Sequence, residues 1–271
     1  MHHARSFLLA LLAGLSLLLD ARAQQVEPRT VSYTVFAKDL RGPRGLLFLP
    51  SGDLLVAEQS GGSIAKVARD GQTTRIASGL LSPHDIDVDP QGNLYVAETG
   101  SDRVALVSPG GKISTYVGGL DSPVDLAFNP AGELLVCELS SGRVLAFKSP
   151  TARRVFVSGL RGPHGLAFAK SGVTFVNDWA GSKVVKVGAD GRVETLAKVE
   201  GPVGMVLGPS GDLYVTQPQA GKLSRIKPDG TVMVLLQGLR GPRDPVFDAA
   251  GQLYIAETDS GLVLKLSGER W

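Results

Sequence analysis

The sequence predicts an all-β fold: a six-bladed β-propeller of four-stranded blades, closed by an N-terminal strand that completes the last blade. Three observations carry the prediction. The prolines Pro43, Pro83, Pro123, Pro163, Pro202 and Pro242 stand 40, 40, 40, 39 and 40 residues apart. Gly52, Gly92, Gly132, Gly172, Gly211 and Gly251 keep the same spacing, and a third marker, Glu58, Glu98, Glu138, Asp178, Gln217 and Glu257, follows each proline by fifteen residues. Three columns in register indicate one supersecondary unit repeated six times. A period near forty with no ten-residue window at helical spacing makes that unit a propeller blade. Composition agrees, since 34 Gly and 16 Pro in 271 residues exceed the usual combined share of about 12 %.

Met1 to Ala23 is set apart by Arg5, the apolar run Phe7 to Leu19 and the small-x-small site Ala21-Arg22-Ala23. This is the pattern of a secretory signal, and its apolar run is too short to span a bilayer. Export to a periplasmic or extracellular compartment, cleavage near Ala23 and no membrane anchor are expected. A short tail, residues 24–30, precedes the propeller at 31–267, and residues 268–271 form a C-terminal tail. Without the signal, 26 basic residues face 25 acidic ones, so there is no broad field to attract nucleic acid. The single Cys137 excludes a disulfide framework or a thiolate metal cluster and reads as a packing residue.

Within the second unit, Ile86 to Val88, Leu94 to Ala97, Val104 to Val107 and Ile113 to Val117 are aliphatic or β-branched runs parted by Asp-Pro-Gln-Gly, Thr-Gly-Ser-Asp and Pro-Gly-Gly. Each separator carries turn chemistry. The sixth unit ends after its third run, near Leu262 to Leu266, while Val31 to Lys38 reads as an unattached fourth strand. The first strand is therefore expected to close the ring, which leaves no free sheet edge, and a monomer is expected.

The columns Pro-x-Gly/Asp and x-Gly-Asp/Asn-Leu-Tyr-Val-Ala-Glu, with a basic residue five positions later as in Glu98/Arg103 and Glu138/Arg143, resemble the NHL repeat. Among enzymes the chain resembles the six-bladed group containing virginiamycin B lyase (streptogramin lyase) and, more distantly, gluconolactonases, over Val31 to about Leu266. Blades of this kind serve both enzymes and binding scaffolds. The resemblance implies a Pro-His and rim-acid pattern supplying a catalytic base and a magnesium site, in a reaction that opens a lactone by elimination. Pro83-His84 with Glu98 and Pro163-His164 with Asp178 match that pattern. The departure is that the lyase places its histidines on neighbouring blades, whereas blade three separates these two.

From the residues themselves, the loops at Pro43 and Glu58 and their equivalents should open on one face, at the mouth of the central channel. A marker acid with its cation five residues on ties down a loop. That reading fits Glu98/Arg103, Glu138/Arg143 and Asp178/Lys183, but Glu58 meets Ser63 and Glu257 meets Leu262. Glu58 and Glu257 are thus candidates for ligand binding, with Arg44 and Arg243 as substitute partners at the closure. The residue after each proline varies as Arg44, His84, Val124, His164, Val203 and Arg243, and a ligand can be read from such variation. An imidazole near a carboxylate suits proton transfer, which makes His84, His164, Glu98 and Asp178 the catalytic candidates. Asp85, Asp125 and Asp244 stand where other units carry Gly. They could hold a hard cation, Mg2+ or Ca2+, through oxygen ligands, or each could cap a loop by accepting backbone N–H bonds. Trp179 could wall a ligand or cover a neighbouring blade.

Two functions remain open from the sequence. One is a small-molecule enzyme at the channel mouth, a metal-assisted lyase or lactone-opening hydrolase. The other is a non-catalytic exported scaffold that binds a ligand or protein on the same face through Arg44, Arg243, Glu58, Glu257 and Trp179.

Overall fold

The computed structural model describes residues 31–268 and 271; the expected signal and the tail at 24–30 lie outside them. Among the described residues twenty-four strands form six antiparallel four-stranded sheets. The second blade is representative, with strands Pro83–Val88, Leu94–Glu98, Arg103–Val107 and Ile113–Gly118 paired in sequence order. Each falls on an expected aliphatic run, because alternate side chains must face a neighbouring blade on either side of the sheet. The hairpin turns use glycine where the chain has to turn left-handed: Gly52, at φ 84°, donates to Leu49 O while Leu49 N bonds Asp53 O.

Closure occurs as expected. Strand Ser32–Ala37 pairs antiparallel with Leu262–Ser267, from Ser32 opposite Ser267 to Ala37 opposite Val263, and so supplies the fourth strand of the sixth blade. Thr258 of that blade donates its hydroxyl to Pro43 O of the first at 2.7 Å. At the other end of the chain, Trp271 stands edge-on to Tyr214 and Phe247, with ring centroids at 5.5 and 6.4 Å.

The core is divided into six clusters, one between each pair of adjacent blades. Leu46, Leu54 and Val56 of blade one meet Tyr254, Ala256 and Val263 of blade six, and Val124, Leu135 and Cys137 of blade three meet Leu166, Val176 and Val185 of blade four. Cys137 is fully buried within that cluster, as a packing residue should be. Among the described residues no helix is long and apolar enough to cross a membrane.

One irregularity positions the site. In the innermost strands the pairing slips: Pro43 faces Glu58 and Leu46 faces Val56, so residues 44 and 45 together oppose one partner residue. The same slip occurs at Pro83/Ile86, Pro163/Leu166 and Pro242/Pro245, and in a shorter form at Pro123/Asp125. Such a bulge re-aims side chains. Here it lets two successive positions, instead of alternate ones, contribute to the channel.

Candidate active site at the channel mouth

The first of those positions places Arg44, His84, His164 and Arg243 together. His84 and His164 come from blades two and four, yet their ring centroids lie 5.1 Å apart; the intervening blade offers only Val124 at this level. Arg44 spans from blade one, with Nη1 2.6 Å from Nε2 of His84 and Nε 2.5 Å from Oε1 of Gln59. A guanidinium can only donate. Nε2 of His84 is therefore the acceptor, its proton sits on Nδ1, and the ring also bonds the backbone of Val124. His84 is thereby neutral and fixed. His164 makes no hydrogen bond to any described residue.

Burial, then the positive charges of the two arginines, holds both imidazoles neutral. His84 is driven well below its ordinary value by desolvation, Arg44, His164 and Arg243. His164 is lowered to about 3 by desolvation, Arg243 and Arg44. The arginines are themselves desolvated, and Arg44 falls to about 10 with the charge of Arg243 contributing.

The second position supplies Asp85, Asp125 and Asp244, each offering an oxygen within 4.8 Å of the other two. Both chemical roles expected of them are present. Asp85 accepts from Leu126 N at 3.2 Å and Asp125 bonds the backbone of Leu166, so each ties its blade to the next. The cluster also fits a hard cation, since its donors are carboxylate oxygens and the remaining positions are glycine. A Cβ at Gly45 would lie 2.6 Å from Oδ1 of Asp85, and one at Gly204 2.8 Å from Oδ1 of Asp244. Without a cation, desolvation and mutual repulsion raise Asp85 and Asp125 well above the usual carboxyl value, and Asp244 rises to about 6. Asp85 and Asp244 share a hydrogen bond, which requires a proton on one of them.

The marker acids occupy a different layer. Each accepts from a backbone N–H seventeen residues earlier: Glu58 from Arg41 at 2.9 Å, Glu98 from Leu81 at 2.5 Å, Glu138 from Asp121 at 3.0 Å, Asp178 from Arg161 at 2.6 Å and Glu257 from Arg240 at 2.7 Å. Glu98 also pairs with Arg103 and Glu138 with Arg143, and Lys183 Nζ lies 3.6 Å from Asp178. The expected pairing of His84 with Glu98 and of His164 with Asp178 is not formed: Nε2 of His84 meets the Arg44 guanidinium instead, and the ring of His164 lies beside that of His84. Nor does Glu58 lack a cation. Arg75, on the fourth strand of its blade, binds both of its oxygens at 2.8 and 2.9 Å, and Ser63 donates at 2.7 Å. Neither Arg44 nor Arg243 substitutes. Glu257 is held by Arg240 N and Ser260 Oγ.

Trp179 is 37 % exposed on the loop face. It lies between a cleft of about 520 Å³ shared with Leu139, Ser141 and Arg161 and one of about 340 Å³ shared with Glu200, Gly201 and Gln219. Its ring approaches the positions a Cβ would take at Gly162 and Gly201, at 3.5 and 3.8 Å, so it both covers the blade junction and walls two clefts. The residues missed in the sequence are Gln59, which orients Arg44, and Arg75. Arg75 had a signal: it is the displaced cation of a unit whose usual basic position is Ser63.

No protein-family model matches the chain, and no curated protein matches it in sequence. Solved structures do match in fold. Virginiamycin B lyase from Staphylococcus aureus is 14 % identical, with a TM-score of 0.67 over 88 % of this chain and 99 % of that one. A gluconolactonase from Xanthomonas campestris is 17 % identical, with a TM-score of 0.79 over 88 % and 91 %. The PQQ-bound aldose sugar dehydrogenase from Streptomyces coelicolor is 19 % identical, with a TM-score of 0.72 over 89 % and 99 %. The chain is thus similar in architecture to propeller lyases, gluconolactonases and sugar dehydrogenases.

Proposed function

We propose that the protein is an exported propeller enzyme that opens a lactone or related cyclic ester of a small molecule at the channel mouth, assisted by Mg2+ or Ca2+. The observation that carries this reading is His164: a neutral imidazole with no hydrogen bond to any described residue, in a channel that also holds two guanidiniums and a three-carboxylate cluster. A neutral imidazole within reach of a substrate proton can accept it, and negative charge on a bound substrate, by offsetting the two guanidiniums that depress His164, raises its basicity toward the range a general base needs.

His164 is the group that takes the proton, from a carbon beside the carbonyl in an elimination or from water in a hydrolysis. His84 is a positioning residue, because Nε2 is occupied by Arg44 and Nδ1 carries its proton. Arg44 and Arg243 attract negative charge on the substrate to this mouth. Asp85, Asp125 and Asp244 are the residues that would hold the cation, and the chemistry it supplies when bound is polarisation of an ester carbonyl. Glu98 and Asp178 hold the loops around this centre.

The test is turnover of a panel of lactones and cyclic esters by purified protein, with and without EDTA, Mg2+ and Ca2+, alongside His164→Ala. Ring opening that needs a divalent cation and disappears in His164→Ala is the expected outcome. Turnover by His164→Ala at the wild-type rate would overturn the reading. A second reading, a non-catalytic scaffold binding a ligand or protein on the same face, is favoured by one observation, the exposed Trp179 between two clefts. It predicts binding that Trp179→Ala weakens and His164→Ala leaves intact.

A further inference from the structure

We propose that Arg44 and Arg243 form a subsite for a monocarboxylate group at the channel mouth, so that a ligand of this protein carries a carboxylic acid. The two residues come from the first and last blades, at equivalent positions of Pro43–Phe48 and Pro242–Phe247, and their charges repel one another. Four basic side chains gather here, and among the described residues no acid forms an ion pair with Arg44 or Arg243. Arg44 is anchored by Gln59 and His84, which leaves Nη2 unspent. The Arg243 side chain makes no hydrogen bond or ion pair with any described residue, and its Nε is buried without a partner. A buried guanidinium N–H without an acceptor is costly.

The protein's own carboxylates do not fill this role. Asp244 acts on both arginines through space but hydrogen-bonds Asp85, and Asp259, the other acid whose charge reaches them, is exposed and within 4.0 Å of neither. A planar carboxylate accepts from two N–H donors at once, which suits a pair of guanidiniums. A monoanion fits better than a phosphate dianion, because the next layer down is the Asp85, Asp125 and Asp244 cluster and a second negative charge would meet it. The subsite does not depend on ring-opening chemistry, and acetate binding there is measurable without turnover.

The experiment is thermal melting of the full chain against rising sodium acetate at constant ionic strength set with chloride, repeated with inorganic phosphate. Wild type, Arg243→Gln, Arg44→Gln and the exposed control Arg153→Gln are compared. A ligand that binds only the folded chain raises the midpoint saturably. The expected result is a saturable rise with acetate in wild type and Arg153→Gln, with half-saturation at least tenfold higher in Arg243→Gln and Arg44→Gln. Should Arg243→Gln not fold, Arg243→Lys, which keeps the charge but loses the fork, is expected to weaken acetate in the same direction. An acetate response of equal size in every variant, or none in wild type, overturns the subsite. Phosphate binding more tightly than acetate through the same arginines overturns the carboxylate assignment. Lactone turnover with an acetate-indifferent midpoint defeats this proposal alone, and an intact acetate response without turnover defeats the ring-opening reading alone.

Discussion

The imidazoles of His84 and His164 sit with ring centroids 5.1 Å apart, although eighty positions and a whole blade separate them in the chain. They are not equivalent. Arg44 fixes His84 through Nε2, whereas His164 makes no hydrogen bond to any described residue and differs from its neighbour in what it can accept. Replacing each by alanine should therefore give different defects. His164→Ala should lower kcat about 10²- to 10⁴-fold, the usual contribution of a general base. His84→Ala should raise KM for a substrate held by Arg44 while retaining measurable kcat. Steady-state kinetics with the best substrate of the lactone panel reads the split, and an equal loss of kcat in both variants would contradict the division of roles.

Cation binding should strengthen with pH. The folded chain holds protons on Asp85, Asp125 and Asp244 well above the ordinary carboxyl range, with Asp244 at about 6, and a divalent ion must displace them. The rise in melting midpoint produced by Mg2+ or Ca2+ is expected to be larger at pH 8 than at pH 5, and to vanish in Asp125→Asn. A cation increment that shrinks from pH 5 to pH 8 would rule out the carboxylate cluster as its site.

The same groups set opposing pH dependences of stability in cation-free buffer. His164 at about 3 and His84 well below 6.5 stay neutral when folded. Between pH 6.5 and about 3 the unfolded chain therefore binds more protons, and stability falls as pH falls. The raised carboxyls act in reverse. Their contribution is full below pH 3.8 and is lost as pH rises through the folded values, about 6 for Asp244. Wild type should show a shallow profile between pH 4 and 6. Asp244→Asn should show a steeper loss of stability on acidification over that window, measured as the denaturation midpoint in urea.

The blades were legible because their signals are local. Proline, turn glycine and marker acid recur every forty residues, and each follows from the geometry of one hairpin; the closing strand Ser32–Ala37 could be read from the missing fourth strand of the last unit. The candidate channel residues were also readable, since Arg44, His84, Asp85, His164, Arg243 and Asp244 stand out as variation against a repeated background. Their partners were not. Sequence spacing suggests His84 with Glu98, but the bulge after each proline turns two residues inward together and leaves the marker acids bonded to backbone N–H groups in another layer. Contacts across the channel, such as His84 with His164, depend on radial distances that no single repeat encodes.

The Glu58 and Arg75 pair gives a stability prediction confined to one blade. Glu58 is fully buried and Arg75 about one-third exposed, so water screens part of their attraction. Arg75→Ala leaves the carboxylate with only Ser63 and the Arg41 N–H. A loss of about 1–3 kcal/mol is expected, and Glu58→Gln combined with Arg75→Ala should recover part of it, because no buried charge is then left unpaired. A double-mutant cycle by urea denaturation measures the coupling, and a value near zero would make Arg75 a bystander.

Closure of the ring rests on one strand from the beginning of the chain. Ser32–Ala37 pairs with Leu262–Ser267, Val31 and Ala37 are buried, and Ala37 and Leu40 pack with Leu54 and Tyr254 across the junction of blades one and six. Deleting residues 31–38 would expose the edge of Leu262–Ser267 and open the cluster that welds the first blade to the last. The loss should not stay local, because each blade's apolar faces are covered only by its neighbours, as in other repeat architectures. The deletion variant is expected to melt far below wild type and to gather into larger species through its free edge, while adding the missing segment as a synthetic peptide should restore part of the midpoint. Size-exclusion chromatography and thermal melting read both effects, and a monomeric deletion variant with the wild-type midpoint would show that closure does not depend on this strand.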